Sequence, residues 1–82
     1  MPYIVQDARK RFKEEETFPA NEGELNYVIT KLCLAYAEEK GISYATYNQL
    51  IGVLECCKLE FYRRAVATYE DEAIARNGDV YK

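Results

Sequence analysis

Residues 46–67 contain no proline, and their apolar side chains recur at the spacing of a helix rather than a strand, which commits a large part of the chain to one long helix. At about 1.5 Å per residue it runs about 22 residues and about 33 Å, long for so small a protein. Placed at about 100° intervals, Leu50, Leu54, Cys57, Phe61 and Ala65 share one narrow sector, the expected core face. Ile51 and Tyr62 flank it on one side and Val53 on the other. Leu59 and Val66 fall outside the sector, so the apolar arc is wider than one neighbouring helix covers. Self-association is the simplest supplier of a second contact. Thr46 is the expected N-cap, with Gln49 three positions later in the capping-box place.

A second helix is signalled over 21–40. Asn21 is placed to accept from the backbone at position 24 while Glu24 reaches back, and Leu25, Val28, Ile29, Leu32 and Tyr36 form one stripe. Gly41 is the expected stop, free to adopt positive φ, with Ile42 packing back on the last turn. Residues 1–20 read as an arm: Tyr3, Ile4 and Val5 look extended, and Asp7 caps a short helix that pairs Ala8 with Phe12 and ends at Thr17, Phe18 and Pro19. Thr68 followed by Tyr69, Glu70, Asp71 and Glu72 resembles a new or kinked helix start, giving a short helix over 68–77 that stops at Asn77 and Gly78. The tail, 78–82, is expected to pair with Tyr3 to Val5 as a small two-stranded patch.

Composition removes most common enzyme mechanisms. The 82 residues hold no His and no Trp, a single serine (Ser43) and four scattered glycines, so no Ser/His couple, histidine metal site or phosphate-cradling glycine loop can be assembled. A net charge of −3 is too mild for a nucleic-acid footprint. The opening residues lack the apolar stretch of a signal peptide, and no run reaches the ~18 apolar residues of a membrane span. Cys33, Cys56 and Cys57 are odd in number, and the adjacent pair points to different sides of a helix, which excludes a disulfide framework and a C-x-x-C metal site. These features imply a cytoplasmic protein without metal or cofactor.

The candidate binding residues lie on the long helix. Lys58 projects inside the apolar arc, either laying its stem on the core edge while pairing with Glu55, or joining Glu55 and Tyr62 in a polar contact at an interface or cleft. Arg63 and Arg64 follow Glu60 at ion-pair spacing, and beside Tyr62 and Tyr69 they also suit a phosphate-bearing ligand, with Arg9, Lys10 and Arg11 enlarging the patch. Eight tyrosines, most of them on or beside helices, suit interfaces.

The run Ile51 to Arg64, IGVLECCKLEFYRR, followed by Tyr69, Glu70 and Asp71 and then by Asn77, Gly78, Asp79, Val80 and Tyr81, resembles small uncharacterised proteins of phages and virus-rich environmental sequences. Those proteins also tend to open Met-Pro-Tyr-Ile and to hold a segment like Glu24 to Tyr27, ELNY; many have proline where this chain has Thr68, which favours a helix break there, whereas Thr68 leaves room for a continuous helix. The resemblance implies an origin and no mechanism.

The sequence therefore predicts one all-α domain over 1–82: two main antiparallel helices, a short C-terminal helix and an N-terminal arm, completed by homodimerisation or a small homo-oligomer. The expected function is non-enzymatic protein binding, phage-encoded and directed at a host component. The alternative is nucleotide or nucleic-acid binding through Arg63, Arg64 and the basic cluster of the arm.

Overall fold

The computed structural model describes residues 3–14 and 18–81. It is all-α: α1 (Gln6–Glu14), α2 (Glu22–Lys40), α3 (Tyr44–Phe61), one π-helical turn (Tyr62–Val66) and α4 (Ala67–Asn77). Backbone proximity divides the chain into two compact units, Met1–Thr46 and Tyr47–Lys82.

In the first unit, α1 begins two residues earlier than an Asp7 cap allows. The Val5 carbonyl accepts the Arg9 N–H at 3.2 Å, and Asp7 sits inside the first turn, where it complements the helix dipole as Arg11 and Lys13 do at the other end. Arg9 Nε donates to the Ile4 carbonyl at 2.9 Å. These bonds engage the segment expected to be a strand, and at the other terminus Asp79 Oδ1 accepts the Tyr81 N–H at 2.8 Å, closing a local turn. No strand forms among the described residues, and the expected two-stranded patch is overturned. Thr17 and Lys82, which entered those expectations, lie outside the described residues.

The start of α2 is as expected. Asn21 is extended (φ −152°, ψ 176°) and its side chain accepts the Glu24 N–H at 2.9 Å. The return bond is displaced by one residue, because the Glu24 carboxylate takes the Ala20 N–H at 3.0 Å. At the far end the Gly41 N–H reaches Ala37 O at 2.9 Å and the chain leaves with φ 102°, a conformation that favours glycine. Ile42 stays exposed instead of packing back. Of the apolar stripe, Leu25, Ile29, Leu32 and Tyr36 are likewise exposed and Val28 is half-buried, and the fully buried apolar residue of this helix is Ala37, at 1%.

The expected Thr46 cap is corrected to Ser43. Its hydroxyl accepts the Thr46 N–H at 3.2 Å and starts α3 at Tyr44, while Thr46 turns its own hydroxyl to the Gly41 carbonyl at 2.8 Å and is buried. A serine that closes the first turn with the residue three positions on does what a threonine cap was expected to do later.

In the second unit the helix passes 67 without a break. The Thr68 hydroxyl donates back to the Arg64 carbonyl at 3.2 Å, so of the two readings of this residue the continuous helix holds and the new start does not. The irregularity falls earlier, in the π turn, where the Ala67 N–H reaches five residues back to Tyr62 O. Gly78, with φ 92°, ends the element, its N–H bonded to Ile74 O at 2.8 Å. The sector expected to be core is not buried: positions 51–65 are all exposed, with Leu54 at 37% and Phe61 at 68%.

Candidate functional site

The six singled-out residues lie in the C-terminal part of α3, the π turn and the start of α4, and they form local pairings rather than a pocket. Lys58 Nζ lies 3.1 Å from Glu55 Oε1, one turn back; with 69% of its side chain exposed, the lysine lies at the surface instead of along a core edge. Arg63 Nη2 donates to both carboxylate oxygens of Glu60 at 3.1 Å, and Arg64 Nη1 stands 3.9 Å from the same carboxylate. One acid thus serves two guanidinium groups. A phosphate approaching this pair meets a carboxylate already in place.

Tyr62 is the residue with an unexpected partner. Its hydroxyl donates to the Glu70 carboxylate, eight positions on. That bond holds the neutral phenol, and the carboxylate charge opposes formation of a phenolate, so the Tyr62 pKa is raised above its ordinary 10.0, with a smaller contribution from Tyr81. In an unbroken α-helix residues eight apart are separated by about 80° around the axis, and the wider π turn absorbs the difference. Tyr69 is 67% exposed.

Other sites are quickly described. Cys33 is half-buried and Cys56 and Cys57 are exposed, all free. Among the described residues no group of three His, Cys, Asp or Glu side chains is gathered to hold a metal, and no helix is long and apolar enough to cross a membrane. An open hollow of about 420 Å³ lies at the start of α2, lined by Tyr3, Ile4, Asn21, Glu22, Gly23 and Asn26, none of them among the six.

Sequence reasoning missed the anchor of the first unit. Arg11 pairs with Glu24, a carboxylate only 9% exposed, which also holds the Ala20 N–H. Phe12 lies 5.9 Å from the Tyr27 ring, tilted by 36°, and the Arg9 guanidinium stands 5.9 Å from the same ring. Arg11 and Glu24 are thirteen residues apart, a separation to which helical periodicity is blind. The available signal was an arginine on the arm and an acid in the first turn of α2.

Compared with known families, the chain is matched over residues 1–80 by the model of a domain of unknown function, DUF6899. No curated protein and no solved structure matches it.

Proposed function

The chain belongs to the DUF6899 family, and from that premise we propose that it is a non-enzymatic interaction protein that self-associates through the apolar face of its long helix. One observation carries the reading: throughout positions 51–65 every residue is exposed, although Ile51, Leu54, Leu59 and Phe61 are among them. Burying such a side chain contributes about 1.5–3 kcal/mol, and contiguous exposed apolar surface marks an interaction site. The same helix, unsupported by packing, loses the tertiary contribution from which helices draw most of their stability. A partner restores it. The free thiols suit a reducing cytoplasm, and the resemblance to phage sequences supports a phage-borne protein whose other partner is a host protein.

The test is light scattering of the full chain over a hundredfold range of concentration, with helix content followed by circular dichroism. The expected result is a concentration-dependent oligomer whose helicity falls on dilution. A monomer of unchanged helicity at all concentrations overturns the reading. Leu54→Glu is expected to shift the oligomer to monomer.

A further inference from the structure

Resting on that self-association, we propose that the second copy lies antiparallel, the two long helices crossing at their π turns, with Lys58 facing Glu70 and Glu60 facing Arg64 of the other copy.

The register comes from the π turn. The Tyr62 to Glu70 bond places position 70 in line with 62, which requires the turn to have absorbed about one residue. The same shift carries Tyr69 and Ala73, instead of Thr68 and Glu72, into line with Leu50, Leu54, Cys57 and Phe61. Without the π turn Glu72 would interrupt this face. With it, the spacing 50, 54, 57, 61 continues through 65 to 69 and 73, a coiled-coil seam.

Charge then chooses the orientation. Lys58 and Glu70 lie along one border of the seam, Glu60 and Arg64 along the other. Antiparallel helices bring like borders together, so with a midpoint near Arg63 each border gains opposite-charge pairs, repeated by the two-fold. Size agrees with charge. The same midpoint sets Phe61 opposite Ala65, Leu54 opposite Ala73 and Cys57 opposite Tyr69, large against small at each level. A parallel, in-register pair offers Arg64 to Glu70 but leaves Lys58 against Val53 and Glu60 against Ala65. It also stacks Phe61 on Phe61 and sets Ala65 and Ala73 each against itself, leaving gaps. The antiparallel pair satisfies more charge and fills more space.

The experiment uses the full chain carrying Cys33→Ser and Cys56→Ser, which keeps the native Cys57, together with Tyr69→Cys. Oxidation in a glutathione buffer followed by peptide mass mapping is expected to link Cys57 of one copy to position 69 of the other. Links of 57 to 57 and 69 to 69 overturn the orientation while leaving self-association standing. A monomer by light scattering with no link overturns both. Because substitution at Tyr69 removes apolar surface, a second measurement avoids both the seam and the Tyr62 to Glu70 bond: Glu60→Lys is expected to weaken the dimer roughly tenfold, and Glu60→Lys with Arg64→Glu to restore it. If the double variant is as weak as the single one, the pairing of Glu60 with Arg64 is wrong.

Discussion

The two units of this chain have similar raw material and opposite habits. Residues of the first are tied across the sequence: Arg11 to Glu24, Phe12 to Tyr27, Arg9 to Tyr27, and Thr46 to the Gly41 carbonyl, with Glu24, Ala37 and Thr46 buried. In the second, the named side-chain bonds reach no farther than the eight residues from Tyr62 to Glu70, and all but the Asp79 turn at the C-terminal end follow one helix. Its share of apolar side chains is the higher of the two, 19 of 36 residues against 21 of 46. The comparison teaches that polar anchors with few alternative partners, rather than the amount of apolar surface, decide which part of a small chain is organised from within.

The largest effect is expected where apolar surface is left uncovered. Phe61→Glu, like Leu54→Glu, should weaken association by a hundredfold or more, about 3 kcal/mol, because a charge then sits in the seam. Sedimentation analysis measures it. If association survives intact, the second unit does not depend on that face, and the contrast between the units loses its meaning.

Next in size is the anchor of the first unit. Glu24→Ala removes a mostly buried carboxylate that holds both Arg11 and the Ala20 N–H, and is expected to cost about 1–3 kcal/mol. Denaturant titration, with hydrogen exchange over α1, should show α1 loosened while the association constant of the long helix is unchanged. Coupled loss of both would erase the distinction between the units. Ser43→Ala removes the acceptor for the Thr46 N–H and should cost about 1 kcal/mol by the same titration.

The smallest effect is a titration on the exposed face of the second unit. Tyr62 has a raised pKa in the folded protein, so the neutral phenol is favoured by folding. Its stabilising contribution is fully present below pH 10.0, the ordinary tyrosine value, and is lost as pH rises through the higher folded-state value. Absorbance of the phenolate should therefore show one tyrosine titrating late, and Glu70→Gln should bring it back toward the ordinary range. A titration unaffected by that substitution would remove the bond that fixes the register of the π turn.

Much of the local structure was legible in the sequence. Asn21 with Glu24 announced the start of α2, and Gly41 and Gly78 announced two helix ends, because caps and positive φ are requirements of a few adjacent residues. The departures were also local: the cap expected at Thr46 is supplied by Ser43, three residues earlier, and of the two readings of Thr68, a new or kinked start or a continuous helix, its bond to the Arg64 carbonyl goes with the second. At the candidate site the spacing foresaw Glu55 with Lys58 and Glu60 with both arginines. It did not foresee Glu70 beside Tyr62, since a fixed 100° step has no place for a π turn.

The sequence by itself determined that this chain is helical, where α2 begins and ends, where the last helix stops, and which side chains share a face of each regular helical stretch, because those properties depend on neighbours within about two turns. Tertiary structure alone decided that Arg11 meets Glu24, that Ala37 is buried while Leu32 is not, and that the face of Leu54 and Phe61 stays open to solvent. Periodicity says that a face is apolar; only contacts between segments distant in sequence say whether it is covered, and within the first unit those contacts are polar and aromatic anchors.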